Sequence, residues 1–507
     1  MTEQVAVTLQ MIVGVLGPDA NLVPGAGSSL SLAESVAVSA VDFDSRAVQP
    51  GSLFVCVRGF ECDGHRFAAH AVKAGAVALL VEEILDVPVP QIVVPNTKRA
   101  LAVAAATFWG SPSGDLSIFG ITGTNGKTTT TYILDSILRT HGLLTGIVGT
   151  VEVRIGQRSL PAGRTTPESA ELQQVLAEMR DEGVQAVSME VSSHAIDLHR
   201  VDAVRFAAVA FTNLTQDHLD YHHTIDAYYG VKARLFTDFD AVARVIDIDT
   251  EYGVRLVSEV GDVHTVLTVG RDATADVRAT DEVADALGTE FSLVTPYGTQ
   301  RLRLPLAGAY NVSNALIAAG CALSYGVPLG TVCAGLERAP QVPGRLERVD
   351  AGQPFTVVVD YAHTPDSLDK ALRAMREVTL GNVISVFGCG GDRDPAKRPI
   401  MGEVSARAAG YSILTSDNPR TEDAVAIILQ IEDGITRADG EHEVVVDRRA
   451  AIARALAIAQ PGDSVLIAGK GHEDYQVFAD RTIHFDDREV ALELLLGMGY
   501  SSKGHLA

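Results

Sequence analysis

The run ITGTNGKTTT, residues 121–130, carries the densest chemistry in the chain. An apolar stretch gives way to glycines, and Lys127 then opens a threonine-rich segment. A loop of this kind surrounds phosphates with backbone N–H groups and a helix N-terminus. Lys127 can reach the terminal phosphate, and the Thr128 hydroxyl can hold Mg²⁺. The strict pattern G-x4-G-K-T would need glycine at 121, where this chain has Ile121, so the loop is a variant built on Gly120, Gly123 and Gly126. The nucleotide expected is ATP.

Two further polar clusters follow. In MEVSSHAIDLHR, Glu190 ends an apolar strand, the place where parallel sheets present functional groups, and its carboxylate suits Mg²⁺. Ser192, Ser193 and Arg200 offer donors to an anionic substrate. TNLTQDHLDYHH holds His218, His222 and His223 beside Asp217 and Asp220. No cysteine pair or HExxH supports zinc here. His218, just after a strand, is the one candidate metal ligand, while His222 and His223 are expected to face solvent. FGCGGDRD half-resembles a dinucleotide fingerprint, but Gly388, Gly390 and Gly391 are followed by Asp392 and Arg393, and the third glycine is missing.

These residues need strands and helices to place them. LSIFGI, GTNGK and TTTTYILDSILRTHG read as strand, turn and helix, with Ile133, Leu134, Ile137 and Leu138 on one face and Gly142 as the stop. VQAVSME, VRFAAVAFTN and ARVIDID continue as apolar strands with helices between them, the mark of a parallel sheet. The pattern restarts after QVPGR with FTVVVDYA, NVISVFGCGG, YSILTSDNP and DSVLIAGKG. With SPSGD at Ser111–Asp115 read as an earlier linker, the chain divides into three α/β domains, 1–113, 114–343 and 344–507. The length, 507 residues, suits about three domains. The net charge of −23 argues against broad nucleic-acid binding, which needs a basic face. The first basic residue is Arg46, so no charged n-region precedes the early apolar stretch, and no apolar run reaches the ~18–20 residues of a membrane span. Five scattered cysteines without a CxxC pair read as reduced thiols in a cytoplasmic protein.

The chain resembles the Mur ligase family, whose members join an amino acid to a UDP-muramoyl peptide with hydrolysis of ATP. The resemblance spans nearly the whole sequence. It rests on VDFDSRAVQPGSLFVCVRGFECDGHRF, GITGTNGKTTT, GRTTP, MEVSSHAIDLHR, YYGVKARLF, GAYNVSNAL, VPGRLE, VDYAHTPDSL, FGCGGDRDPAKRP, SDNPRTED and AGKGHEDYQ. The last two look like the member that adds the third peptide residue to UDP-N-acetylmuramoyl-L-alanyl-D-glutamate. The fold implied is a UDP-binding first domain, a P-loop-type parallel-sheet central domain and a Rossmann-like third domain.

Carried over residue by residue, the resemblance assigns ATP to Gly123, Thr124, Asn125, Gly126, Lys127, Thr128 and Thr129, with Asn311 and Arg345 near the nucleotide. Asp360 and His363 would face it from the third domain. Phe43, Ser45, Phe60, Glu61 and Cys62 match uridine contacts, and Thr165, Thr166, Ser192 and Arg200 match contacts to the muramoyl-dipeptide. Glu190 and His218 match magnesium ligands. Lys232 matches a lysine that the family carbamylates, turning an amine into a carboxylate that helps to place Mg²⁺. Arg393, Asp417, Asn418, Pro419, Arg420, Gly469 and Glu473 would form the amino-acid pocket. In the family the Arg420-containing motif accompanies meso-diaminopimelate, whose distal carboxylate suits an arginine fork. Arg164 and Leu198 depart from the pattern, standing where a substrate-binding Asn and Gln are often found.

The implied activity is amide synthesis through an acyl phosphate, with Lys127, Glu190, His218 and Lys232 as the catalytic set. The same ligase adding L-lysine is an alternative. A folylpolyglutamate-synthetase-like ligase would share the loop, but it has no reason to carry SDNPRTED. An ATP-binding scaffold without activity would have no reason to keep Lys127, Glu190 and Lys232 together.

Overall fold

The strand Ser117–Thr122 runs through the middle of an eleven-stranded sheet, between two parallel partners, Ala186–Glu190 and Phe206–Phe211. This is a computed structural model, and it describes residues 6–60, 62–261, 265–285 and 287–501. The sheet is built from apolar runs buried on both faces, as a sheet flanked by crossover helices requires. The chain leaves Ser117–Thr122 towards one side and later returns to the other. The loop at residues 123–126 therefore sits at a switch point, where ligands of such sheets bind.

Beyond Phe206–Phe211 lie the parallel strands Ala241–Asp247 and Thr265–Gly270. The helix Lys127–Thr140 buries Ile133, Leu134, Ile137 and Leu138 against Ala309–Ser324, a helix buried along most of its length. The periodicity of the sequence points to this helix, and Gly142 ends it at φ +92°. The apolar-run reading misses the antiparallel edges. Gly288–Thr295 and Gly298–Leu304 extend one side as a hairpin, and Glu152–Ile155 and Arg158–Pro161 extend the other. Their burial alternates, with Phe291 and Leu293 inward and their neighbours half outward, so no continuous apolar run announces them.

A smaller sheet precedes this one. Its order is Asn21–Val23, Gln91–Val93, Ala78–Val81, Ser52–Val55 and Ala40–Asp42, parallel apart from the first strand. A third sheet follows, of order Glu347–Arg348, Thr356–Asp360, Ser464–Ala468, Val383–Phe387, Tyr411–Leu414 and His442–Val444, again parallel apart from its first strand.

Neither connection between sheets is a loose tether. Pro112–Gly114 forms a 3₁₀ turn with Pro112 and Ser113 buried, and Ser113 Oγ accepts from the Arg205 N–H at 3.3 Å. At the second connection Gly344 has φ +66°, and a Cβ there would stand 2.1 Å from His472 N. All five cysteines are free: Cys56, Cys321, Cys333 and Cys389 are buried and Cys62 is exposed.

Candidate active site

Glycine is required at both ends of the phosphate loop. Gly123 (φ +148°) packs so closely that a Cβ would lie 1.8 Å from Thr212 Oγ1, and at Gly126 (φ +88°) a Cβ would meet Asn314 Oδ1 at 2.3 Å. Gly126 caps the helix that Lys127 opens, so free N–H groups of the first turn point into the loop. Lys127 Nζ donates to Gly123 O (3.0 Å) and Thr124 O (2.9 Å), which bends its side chain back over the loop. Burial pushes its ammonium below the usual range, and Glu190 and Asp217 pull the other way.

Glu190, at the carboxyl end of its strand, is the hub. Its Oε1 accepts from Thr150 N (2.8 Å), and its Oε2 accepts from the hydroxyls of Thr128 and Thr150 (3.1 Å each). A buried carboxylate and a hydroxyl are hard oxygen donors of the kind Mg²⁺ takes, with phosphates and water completing its shell. Among the described residues no cage of three or more acidic, histidine or cysteine side chains forms. Lys232 is 1% exposed; its Nζ lies 4.5 Å over the Tyr228 ring and donates to Gly123 O at 2.9 Å, from beneath the loop. Burial, with Lys127 nearby, drives its pKa well below the usual lysine range.

The third sheet closes the site from the other side. Arg345 donates through Nη2 to Thr128 Oγ1 (3.2 Å), and its guanidinium lies 4.8 Å over the Tyr361 ring. Asp360 accepts from the N–H groups of Leu346 (2.7 Å) and Ala362 (2.8 Å), and burial raises its pKa. Asp366 Oδ2 accepts from Asn125 Nδ2 at 2.7 Å, a direct bond between the third domain and the loop. Between these groups lies a cavity of about 430 Å³, lined by Lys127, Thr128, Glu190 and His218 on one side and Arg345, Asp360 and His363 on the other. Asn311 does not reach its wall. The Asn311 carboxamide is spent on Ala307 O (2.7 Å) and Asn314 Nδ2 (3.1 Å), and Asn314, one helical turn on, lines the cavity instead.

His218 has φ +53° and a side chain 47% exposed, in line with a position on the cavity rim. His222 corrects the sequence expectation. It is buried, its Nε2 lies 2.9 Å from Ser193 Oγ, and its ring stacks near Tyr228 because the short helix Leu219–His222 turns it inward; His223 is exposed as expected. Thr166, Ser192 and Arg200 come together: Ser192 N donates to Thr166 Oγ1 (3.2 Å) and Arg200 Nη1 to Thr166 O (3.1 Å). Thr165 joins them through Thr150 Oγ1 at 3.0 Å. Arg164 pairs with Glu168, and Leu198 caps the helix Ser193–Asp197. In the first domain Phe43 and Ser45 follow the strand Ala40–Asp42, half-buried. Phe60 is 76% exposed, with Lys98 Nζ 5.2 Å over its ring and Tyr221 edge-on at 5.9 Å. Cys62 is exposed, and Glu61 lies outside the described residues.

Three loops meet at the carboxyl ends of the third sheet. The glycines of FGCGGDRD serve packing: a Cβ at Gly388 would stand 2.2 Å from Thr415 O, and one at Gly391 would stand 1.9 Å from Pro419 O. Arg420 (φ +53°) donates through Nη1 to Gly391 O at 2.7 Å, and Arg393 is exposed beside it. Asp417, Asn418 and Pro419 are buried, and Asn418 Nδ2 donates to Glu473 Oε2 at 3.1 Å. Gly469 (φ +118°) makes the turn in front of Asp417. Behind them Arg448 and Asp487, both fully buried, pair at 2.6 Å, and Lys470 pairs with Asp417 at 3.2 Å. Sequence reasoning missed Thr150, Asn314, Arg448 and Lys470. Asn314 was discoverable as the i+3 neighbour of Asn311, and Thr150 as the polar residue just past a strand.

A phosphate loop at a sheet switch point, faced across a cavity by Arg345 of the third domain, defines a nucleotide-dependent α/β enzyme. Family models agree along the chain: the Mur ligase family catalytic domain at residues 37–109, the Mur ligase middle domain at 121–322 and the Mur ligase glutamate ligase domain at 344–471. A UDP-N-acetylmuramoyl-L-alanyl-D-glutamate--2,6-diaminopimelate ligase of Bacillus cereus is 45% identical over 475 residues, covering 92% of this chain and 95% of that protein. One of the same name from Geobacter metallireducens is 43% identical over 488 residues, covering 92% and 94%. A solved structure of that name superposes with a TM-score of 0.71 at 29% identity, covering 98% of this chain and all of the other. A folylpolyglutamate synthase of Mycobacterium tuberculosis shares the fold at 18% identity and a TM-score of 0.60, over 73% of this chain and 91% of that one. The chain belongs to the Mur ligase family.

Proposed function

We propose that this protein joins meso-diaminopimelate to the D-glutamate γ-carboxylate of UDP-N-acetylmuramoyl-L-alanyl-D-glutamate, using ATP, in the cytoplasm. The observation that carries the reading is the hydrogen-bonded line Arg345–Thr128–Glu190. It ties the phosphate loop to the third sheet across one cavity. Relatives 43–46% identical and bearing that name support the choice of substrates. The five cysteines are free, and no helix among the described residues is long and apolar enough to cross a membrane. The proposed domains are 1–113, 114–343 and 344–507.

In the reading, the dipeptide carboxylate attacks the γ-phosphorus of ATP, ADP leaves, and an acyl phosphate forms. An amine of the amino acid then attacks the acyl carbon, and phosphate departs as the amide closes. Two anions meet in the first step. Lys127, the N–H groups of residues 123–129 and Arg345 supply positive charge where negative charge crowds. Glu190 and Thr128 would hold Mg²⁺, with His218 on the rim and Lys232 as a carbamate completing the set. The cation, when bound, would supply neutralising charge to the ATP phosphates. A carbamate forms from a neutral amine, and burial of Lys232 favours the neutral form. Thr165, Thr166, Ser192 and Arg200 would orient the dipeptide, and Phe43, Ser45, Phe60 and Cys62 the uridine. Arg393 and Arg420 would take the distal carboxylate of the amino acid, and Glu473 its ammonium.

The test is ADP release with the UDP-muramoyl-dipeptide and a panel of amino acids. Meso-diaminopimelate is expected to be preferred over L-lysine by a large factor, since sites built to pair a polar group reject the analogue lacking it by about 10⁴-fold. Arg420→Ala should raise KM for meso-diaminopimelate far more than for ATP. Comparable kcat/KM for the two amino acids in the wild type would overturn the assignment.

A further inference from the structure

Behind the third-sheet loops, Lys470 and Val477 both donate to the Asn418 carboxamide oxygen. Lys470 is fully buried, and its Nζ meets three oxygens: Asn418 Oδ1 at 3.0 Å, Tyr475 O at 2.7 Å and Asp417 Oδ1 at 3.2 Å. Two of these are hydrogen bonds, to Asn418 Oδ1 and Tyr475 O, and the third is the charge pair with Asp417. Burial pushes the Asp417 carboxyl up, but Lys470 and Arg448 outweigh it and hold it below its ordinary value. Asn418 Oδ1 also accepts from the Val477 N–H at 3.0 Å. With two donors aimed at one side of the carboxamide, its oxygen is fixed there. Its NH₂ must face the other way, where Nδ2 donates to Glu473 Oε2 at 3.1 Å. Turning the amide over would set its NH₂ against an ammonium and an N–H, and its oxygen against a carboxylate.

We propose that Lys470 is a positioning residue for the choice of amine: it fixes the Asn418 carboxamide, which in turn holds the Glu473 carboxylate towards the distal ammonium of a diamino acid. The lysine itself meets no substrate; it stands behind Asn418. This rests on the reading of these loops as the amino-acid site.

The experiment compares kcat/KM for meso-diaminopimelate and 2-aminopimelate, which keeps both carboxylates and lacks the distal amine. The wild type should favour the former by at least about 100-fold. Lys470→Met should cut that ratio by at least about tenfold, the scale of one hydrogen bond to a charged group, and leave KM for ATP within about twofold. In a Glu473→Gln background Lys470→Met should lower the ratio no further, because the two act through one another. A ratio retained in Lys470→Met, equal losses for both amino acids, or an additive loss in the double variant would each overturn the proposal. If Lys470→Met does not fold, Asn418→Asp carries the test. It keeps an acceptor for Lys470 but sets an oxygen against Glu473, and an unchanged ratio there would also overturn the proposal. A wild type that forms no ADP with meso-diaminopimelate is a different result, which removes the underlying reading and the proposal with it.

Discussion

Replacing Lys127 by methionine separates the two jobs its ammonium can hold. In the structure the ammonium ties the loop through bonds to Gly123 O (3.0 Å) and Thr124 O (2.9 Å), each, with a charged donor, worth about 1.5–3 kcal/mol of stability. Against this stands the penalty of burying a cation, several kcal/mol before its partners offset it. Methionine matches the length of the stem and carries no charge, so the two effects nearly cancel. The melting temperature should move by no more than a few degrees, at about 2–4 °C per kcal/mol for a domain of this size. Catalysis should not be spared. Removing one preorganised group that meets charge developing in the transition state costs about 2.7–4 kcal/mol, a factor of about 10²–10³ in kcat. Calorimetry and an ADP-release assay at saturating substrates read the two quantities independently. A kcat within about tenfold of the wild type, or a collapse in melting temperature, would refute the reasoning and make Lys127 a structural tie.

Lys232→Ala should be nearly inactive and partly rescued by a short carboxylic acid such as acetate, which can refill the place of a carbamate; absence of rescue counts against the modification. Arg448→Met should lower stability by about 3–5 kcal/mol, because it leaves Asp487 charged, buried and unpaired, and unchanged thermal unfolding would contradict this. Burial, with Lys397 nearby, pushes the His363 imidazole from 6.5 down to about 4. The unfolded chain therefore takes up a proton that the native state refuses, so stability is full above about pH 6.5 and is lost as pH falls towards 4. His194 and His472 are also pushed down to about 4 by burial. His363→Gln should therefore lessen the slope of denaturation midpoints across that window by one histidine's share, and an unaltered slope would assign the pH dependence to other groups.

Much of this architecture is readable from residue order, because parallel strands buried on both faces must be apolar runs and phosphate loops must carry glycine at fixed points. Gly123 and Gly126 are legible for that reason, and so is Glu190 at a strand end. The hairpins over 288–304 and 152–161 are not, since half of each strand meets solvent and its pattern blends into the loops around it. His222 misled for a related reason: its neighbours are polar, yet a single helical turn carries it under Tyr228. Nothing in the residue order alone marks Lys470 or Arg448 as buried. Only the folded chain shows that Asp417 and Asp487, far away in sequence, meet them in the interior.

The thiols differ sharply in reactivity. Burial pushes Cys56, Cys321 and Cys389 up to about 12 and Cys333 up to about 11, leaving almost no thiolate at neutral pH and no path for a reagent. Cys62 alone is exposed. A maleimide dye applied to the unaltered protein should therefore attach at one address, two residues from the exposed Phe60 ring. If the proposed uridine contact holds, bound nucleotide-sugar should shield Cys62 and slow that labelling, with no cysteine to remove and none to add.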